Sequence, residues 1–368
     1  MNRLRMPIGL LALCLLGVLG PAGGARALEL GVFGDLSYIS TDIPDDEANF
    51  RIGSLDFYAA QNIDDKTKAL FELQFQTFSG AFEYEIQRYW IMREFSESFK
   101  LGMGRFHPPL GYWSRHFHHG ILMQDTVSRP FILSFEGSVN SIMPMHMIGL
   151  LAEGAIGGAG LYYEAGIANS NTIDTDERSR LEVPNRDDLS PDKSFFGRLS
   201  YANPGVPFMP GISVMRNNVV ESSDSGLFVA RGEDLVQQSL VGVDLRYESG
   251  RFSLLAEVYR LENELQPGVG DAGSHAATAY FAQFGYNLTD QLKATYRRES
   301  LDFDDDDAYF MDPALLGRNA LGTETRDVFA LRYDFSESNA LMLEVSRREP
   351  DLADSTTTTI LSWAFVMF

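Results

Sequence analysis

The last thirteen residues, 356-TTTTILSWAFVMF-368, have the composition of a β-strand that continues to the final position of the sequence. Four threonines precede residue types that favour strands, namely Ile360, Leu361, Trp363, Phe365, Val366 and Phe368. The last residues of a soluble domain are usually poorly ordered, whereas this sequence ends on a large apolar ring. This ending predicts a strand that lies in an apolar environment.

The same strand-like pattern recurs along most of the chain. In 69–77 the apolar residues Ala69, Phe71, Leu73 and Phe75 alternate with mostly polar ones, and 239–247 behaves in the same way. Further alternating stretches are 28–39, 252–259, 280–288, 292–299, 328–335 and 341–348. These stretches are 8 to 12 residues long, close to the roughly 9–11 residues that a tilted strand needs to cross a bilayer. Alternation is blurred in 50–63, 143–152 and 205–216, where Pro207 and Pro210 also fall.

Connection lengths decide between a membrane barrel and a soluble sandwich. Short turns are predicted at 64–67, 96–98, 248–251, 289–291 and 336–339, and longer polar loops at 41–49, 169–193, 217–236, 262–275 and 302–326. Short turns on one side and long loops on the other are typical of transmembrane barrels. We therefore predict an all-β fold, an antiparallel up-and-down transmembrane β-barrel of about sixteen strands, with eight long loops and seven short turns. Aromatic residues flank the short turns, as in an interfacial girdle.

The first 27 residues are predicted to be a signal peptide. Arg3 and Arg5 precede an apolar run over 7–19, and Ala25-Arg26-Ala27 is a small-x-small cleavage site. Residues 28–368 would then form a single barrel domain without cysteine, because Cys14 lies in the predicted leader. This part contains 27 basic and 51 acidic residues, a formal charge of −24, which argues against nucleic-acid binding. It contains no apolar stretch long enough for a transmembrane helix.

The polar sides of the predicted strands would line a water-filled lumen. Among these positions we select as candidates for lining the pore Glu72, Arg198, Arg246, Glu257, Arg297, Arg332 and Arg348. The same alternation predicts that Glu299 and Glu344 also face the lumen. The guanidinium group of arginine suits contacts with phosphate or carboxylate, and mixed charges tune which solutes pass through a channel. The alternative is that these arginines pair with neighbouring carboxylates of the wall.

The longest connection, residues 107–142 (the 107–142 segment), is rich in aromatic and apolar residues such as Trp113, Phe117 and Phe131. A loop exposed to water would not carry so many, so we predict that it folds into the barrel and packs on the wall. Candidates for the constriction are therefore Arg105, His107, Arg115, His116, His118, His119, Asp125 and Arg129.

The sequence around this segment resembles that of outer-membrane porins. A strand ending 101-LGMGRF-106 is followed by 108-PPLG-111 and a long third loop, which is similar to the general porin pattern and loosely to the phosphate-selective group. That group has a lysine where this chain has His107, a difference that bears on phosphate selectivity. The resemblance implies a sixteen-stranded, trimeric channel constricted by its third loop. It also implies that Phe368 is the signal read by the barrel assembly machinery.

Four of the six histidines, His107, His116, His118 and His119, fall in or beside this segment. Their clustering permits a metal or metal-chelate site, or a gate that responds to pH, since histidine titrates near neutrality. The alternative is that they are only polar side chains at the constriction. No cofactor is predicted.

The sequence thus predicts a porin for passive diffusion of small hydrophilic solutes or ions in the outer membrane of a Gram-negative bacterium. A substrate-specific channel for metal chelates or small anions such as phosphate is the main alternative, and a plugged adhesin or assembly scaffold is another. No enzymatic activity is expected, because no catalytic motif surrounds His146 or His275. The expected partners are outer-membrane lipid and lipopolysaccharide, the latter bridged by divalent ions to the acidic run 302–307.

Overall fold

The computed structural model describes residues 28–368 except 79–80, 118–119, 135–140, 159, 177–180, 184–187, 271–272 and 319–320. The predicted signal peptide, residues 1–27, lies outside the described residues. The strands, in chain order, are β1 (Glu29–Thr41), β2 (Asn49–Asn62), β3 (Thr67–Phe78), β4 (Ala81–Ser96), β5 (Phe99–Phe106), β6 (Met147–Ile156), β7 (Leu161–Asn169), β8 (Asn171–Ile173), β9 (Lys193–Tyr201), β10 (Phe208–Glu221), β11 (Asp234–Ser249), β12 (Phe252–Leu265), β13 (Gly273–Asn287), β14 (Leu292–Phe303), β15 (Glu324–Ser336), β16 (Asn339–Pro350) and β17 (Thr356–Met367).

Sixteen of these strands form a closed antiparallel barrel. Each pairs with its neighbour in the chain, except that β7 pairs with β9, and β8 stands outside this order. The ring closes between β1 and β17, whose register runs from Val32 opposite Met367 to Thr41 opposite Thr358. The prediction of an all-β barrel of about sixteen strands is therefore confirmed. Closure removes the free sheet edges that a lone strand of this composition would expose.

The short strand β8 is an addition that the sequence pattern did not predict. It has three residues and pairs in parallel with Val219–Glu221 at the end of β10. A single antiparallel bridge between Thr172 and Glu182 extends this pairing within the long connection after β7. Three residues are too few to show alternation, so sequence alone gives this strand no signal.

Two of the stretches with blurred alternation become strands for identifiable reasons. In β2 the register against β1 shifts between Gly34 and Leu36, a β-bulge that moves the exposed side chains from one parity to the other. In β10 Pro210 opposes Leu245 of β11, while pairing with β9 begins only at Gly211. Because the proline lies where β10 has a neighbour on one side only, its missing N–H costs little.

The two faces of the barrel wall differ sharply in polarity. On β12, Val258 is 49% exposed, while the adjacent Glu257 is 0% exposed. The exposed side, here called the apolar face, carries aromatic side chains beside the short turns, and several are in ring contact, such as Phe95 with Phe99 at 5.5 Å and Phe252 with Tyr286 at 4.8 Å. The buried side, here called the polar face, carries most of the buried charged residues.

The buried apolar residues gather around the 107–142 segment and the long connections. One cluster includes Trp113, Phe131 and Ile142 together with Tyr309 and Phe310 from the connection between β14 and β15. The described helices are short, with α1 at Trp113–His116, α2 at Ala308–Met311 and 3-10 turns at Ile121–Met123 and Phe131–Leu133. No helix among the described residues is long and apolar enough to cross a membrane.

Candidate functional site

Ion pairs cover the polar face from β3 to β11. Arg198 donates to Asp244 at 2.6 Å and lies 3.5 Å from Glu164, and all three side chains are buried. On β4, Arg88 bonds Glu72 at 2.6 Å. Arg105, at the end of β5, bonds Glu85 at 2.6 Å. These three arginines therefore pair with neighbouring carboxylates of the wall, which is what the alternative prediction expected.

The 107–142 segment is held to the polar face through its backbone, beginning at Glu257. One carboxylate oxygen of Glu257 accepts hydrogen bonds from the backbone N–H groups of Tyr112 and Trp113, each at 2.7 Å. Tyr259 donates its hydroxyl to the same carboxylate, and its hydroxyl oxygen also lies 3.2 Å from the backbone carbonyl oxygen of Leu110. Gly111 has φ 78° and lies so close that a Cβ there would be 2.2 Å from the Tyr259 hydroxyl, so only glycine fits.

A second anchor surrounds Glu299 on β14. Its carboxylate accepts from the backbone N–H of Phe131 at 2.6 Å, from Arg297 at 2.7 Å and from Arg326 at 2.7 Å. Arg297 in turn donates to the Thr126 hydroxyl at 2.5 Å and to the Ser128 carbonyl at 2.9 Å. Because Glu299 and Arg297 are both fully buried, these bonds act where water does not compete.

Three further wall residues complete the attachment. Glu344 accepts from the Ser128 backbone N–H at 2.9 Å. Arg332 donates to the backbone carbonyls of Leu122 and Gln124, each at 2.6 Å, and Lys293 pairs with Asp125 at 2.7 Å. Glutamates thus accept hydrogen bonds from the backbone N–H groups of the segment, and arginines donate hydrogen bonds to its backbone carbonyls. This division follows from the chemistry of the two side chains, since ionised carboxylates only accept and guanidinium groups only donate.

Other predicted residues meet on the opposite flank of the segment. Arg115 bonds Glu153 on β6 at 3.0 Å and Glu164 on β7 at 2.8 Å. Arg246 donates to the Tyr112 hydroxyl at 2.8 Å, and the Arg129 guanidinium lies 4.8 Å from the centre of the Trp113 ring. These arginines therefore stack on, or bond with, the aromatic residues of the segment.

A cavity of about 550 Å³ remains beside α1, at the end of the barrel that carries the short turns. Its lining combines aromatic and charged side chains, including Trp90, Tyr162, Tyr201, Arg115, Glu153 and His116. A second cavity of about 370 Å³ lies between the segment and β1–β3, and it is lined by Asp35, Ser54, Gln74, Gln124 and Arg129. The segment therefore leaves space on the polar face mainly beside β1–β9.

The histidines are placed separately. His116 stacks on Tyr112 with ring centres 3.8 Å apart, and its Nδ1 lies 2.8 Å from the Tyr112 carbonyl. Burial lowers the pKa of His116, although the bond to Tyr112 opposes this shift, so the ring is neutral at pH 7. The rings of His107 and His146 meet edge to face at 4.9 Å. Among the described residues no group of three or more His, Cys, Asp or Glu side chains is arranged to hold a metal ion. His118 and His119 lie outside that part of the chain.

Two predicted residues lie away from this site. Arg348, near the long-loop end of β16, bonds Glu324 at 2.5 Å. Phe368 follows the last residue of β17 and is 88% exposed. Alternation predicts that Glu299 on β14 and Glu344 on β16 face the lumen, whereas Arg326 on β15 was not selected from the sequence. The backbone partners of all three residues in the segment carry no sequence signal. Whether the selected residues line a pore stays a prediction.

Solved structures with the same architecture come from bacterial outer membranes. The anion-selective porin from Comamonas acidovorans matches with a TM-score of 0.64 and 10% identity, over 93% of this chain and 100% of that one. Salmonella typhi OmpF in complex with daunomycin matches with a TM-score of 0.61 and 10% identity, over 93% and 98%. This chain has the porin fold. The outer-membrane channel DcaP of Acinetobacter baumannii shares that fold, with a TM-score of 0.59 and 11% identity over 95% and 99%.

The similarity to porins is one of structure and does not extend to the amino-acid sequence. No protein-family model matches the chain, and no curated protein sequence matches it. At about 10% sequence identity these comparisons establish the fold alone. The contacts between the wall and the segment described above are read from this chain's own structure.

Proposed function

We propose that the protein is a non-enzymatic channel of the outer membrane that lets small hydrophilic solutes or ions diffuse passively. The observation that carries this proposal is the division of a closed sixteen-stranded wall into an exposed apolar face and a buried polar face. An outer apolar band and a polar interior are what a water-filled barrel in a bilayer requires. The likeness in fold to outer-membrane porins supports the same function.

In this proposal the 107–142 segment lies in the lumen and forms the constriction. Its residues reach strands on many sides of the ring: Arg115 bonds β6 and β7, Tyr112 bonds β12, and Leu122 packs with residues of β16 and β17. Its ion-pair and hydrogen-bond partners, such as Glu164 and Glu257, are buried on the polar face, which a segment outside the barrel could not reach. The side chains open to solutes include those of the two cavities around Arg115 and Asp35, and those of a smaller cavity beside Asp125 and Lys293.

Unselective diffusion fits these side chains better than specific binding of phosphate or another small anion. The arginines beside the larger cavity, Arg88, Arg115 and Arg198, each lie within 3 Å of at least one carboxylate oxygen. These three arginines face four carboxylates, those of Glu72, Glu153, Glu164 and Asp244. The cluster therefore offers a small anion no net attraction, although it still orders water and polar solutes.

Localisation and assembly belong to the same proposal. Residues 1–27 would direct secretion and be removed after Ala27, and the barrel would insert with Phe368 read by the assembly machinery. A homotrimer in contact with outer-membrane lipid and lipopolysaccharide is the assembly that we propose. One similar structure, an outer-membrane protein of Vibrio cholerae, is described as a trimer form.

Reconstitution of residues 28–368 into a planar bilayer tests the channel function. We expect stable conductance steps and a reversal potential close to zero in a salt gradient, because the arginines beside the larger cavity are paired with carboxylates. A barrel that inserts but conducts no current would contradict the proposal. A strongly anion-selective reversal potential would favour the anion-specific alternative instead.

The membrane orientation of the apolar face has its own test in Leu343→Arg. Leu343 is 42% exposed and lies about halfway along the apolar side of β16. A charge at the middle of a bilayer should lower the free energy of unfolding by about 2–4 kcal/mol. The measurement is urea titration of the folded fraction in phosphocholine vesicles, with Leu343→Ala as the control. Equal stability of the two variants would place this face outside the hydrocarbon.

A further inference from the structure

Two arginines on the apolar face mark the point where its apolar residues end. Arg216 on β10 and Arg260 on β12 are both exposed. On each strand four apolar residues of the same face come before the arginine, counted from the short-turn end: Phe208, Pro210, Ile212 and Val214 on β10, and Phe252, Leu254, Ala256 and Val258 on β12. Each arginine is therefore the first charged side chain that this face presents above its apolar band.

The bonding of these two arginines differs from that of the other arginines on the same face. Arg216 donates to the side-chain oxygen of Gln237 at 2.5 Å, and Arg260 donates to the Thr278 hydroxyl at 3.3 Å. Both acceptors are neutral. By contrast, Arg298 pairs with Asp327 and Arg347 pairs with Glu349. The positive charges of Arg216 and Arg260 are thus not neutralised by an ion pair with any described residue.

Strand register fixes how far apart the two arginines are. Arg216 lies opposite Ser239 of β11, and Arg260 lies opposite Val241 of the same strand. Two strand spacings across and two residues along place their Cα atoms about 12 Å apart. Flexible arginine side chains can therefore converge on one anionic group, or contact two neighbouring ones.

The same geometry sets their depth. Eight residues separate Phe252 at the aromatic level from Arg260, which corresponds to about 20 Å along the barrel axis for a strand tilted as in membrane barrels. The apolar band of such barrels is about 25 Å tall. Arginines near its upper edge can extend their charged ends to the headgroup layer. The acidic Glu262 and Glu264 follow on the same face of β12, farther from the hydrocarbon.

We propose that Arg216 and Arg260 bind the phosphate group of an anionic lipid in the leaflet on the long-loop side. The inference rests on the proposed function, because it requires the apolar face to contact a bilayer. Guanidinium groups make paired hydrogen bonds to phosphate oxygens. Gln237 and Thr278 hold the two guanidinium groups without cancelling their charge, so an anionic headgroup supplies the missing counter-charge.

The test compares binding of phosphatidic acid, a lipid with a phosphate monoester, to the wild type and to Arg216→Gln/Arg260→Gln. Native mass spectrometry of protein released from mixed phosphocholine and phosphatidic acid vesicles gives the relative affinity. We expect about thirtyfold weaker binding by the double variant, from the loss of two basic side chains near the surface. The matched control is Arg93→Gln/Arg251→Gln, which removes two exposed arginines at the short-turn end and should retain wild-type binding.

Two further measurements separate the possible failures. Equal binding by the two double variants, or displacement of the lipid by inorganic phosphate at similar concentration, would overturn the lipid site. Conductance of the same preparations reports on the channel independently. If the double variant conducts like the wild type and also binds like it, only the lipid site fails. If lipid binding follows the prediction but no protein conducts, the proposed channel function fails.

Discussion

Replacing Glu299 by alanine is expected to lower the free energy of unfolding by about 3–5 kcal/mol. The carboxylate accepts hydrogen bonds from Arg297, Arg326 and the backbone N–H of Phe131, and it is fully buried. Alanine would leave the buried Arg297 guanidinium beside Arg326 without the charge that compensates both. Removing one partner of a buried charge network costs far more than the network contributes against an apolar replacement.

Urea titration of the folded fraction in vesicles measures this loss. Asp302→Ala serves as the control, because Asp302 is an exposed acidic residue on the same strand. The double variant Glu299→Leu/Arg297→Met should recover part of the stability, since it removes the stranded charge together with its partner. If the single alanine variant unfolds at the same urea concentration as the control, the network is not buried as described.

The second large effect is expected from Glu257→Ala, and its readout is ionic current. The variant leaves the backbone N–H groups of Tyr112 and Trp113 without their acceptor. Each buried unsatisfied group costs about 1–3 kcal/mol, so the attached form of the segment should lose about 3 kcal/mol. That loss raises the population of displaced conformers roughly a hundredfold. Single channels should then show larger mean conductance and more open-state noise.

Glu257→Gln separates lost hydrogen bonds from lost charge. Its amide oxygen can still accept from Tyr112 and Trp113, so we expect noise between that of the wild type and that of the alanine variant. Glu262→Ala, on the opposite face of the same strand, should leave the current unchanged. Wild-type noise in the alanine variant would mean that the start of the segment is held by other contacts.

Alternation and turn spacing were enough to predict the barrel, because each strand must present one face to each environment. Alternation failed to mark two strands. In β2 a bulge opposite Gly34–Leu36 of β1 changes which residues face outward, and β8 is too short to show alternation. The polar face could also be predicted, since a residue such as Glu257 lies between the apolar residues Ala256 and Val258.

The partners of those residues could not be predicted in the same way. Glu257 bonds a backbone group 144 residues away, and Arg297 bonds Thr126 at a separation of 171 residues. A backbone N–H or carbonyl is present at every position, so nothing in the sequence marks which one a carboxylate or guanidinium will find. The prediction that Arg246, Glu257, Arg297 and Arg332 lie on the polar side of their strands identified their face but not their attachment to the segment.

The hydrogen bonds from Glu257, Glu299, Glu344 and Arg332 are made to backbone groups of the 107–142 segment rather than to its side chains. The attachment is therefore largely indifferent to which amino acids the segment carries, provided that Gly111 is kept for its close approach. Side chains of the segment that face the cavities can be substituted while these backbone hydrogen bonds are kept. In the proposed channel, substitutions in this one segment can therefore change the solute preference while the barrel and its attachment to the segment stay the same.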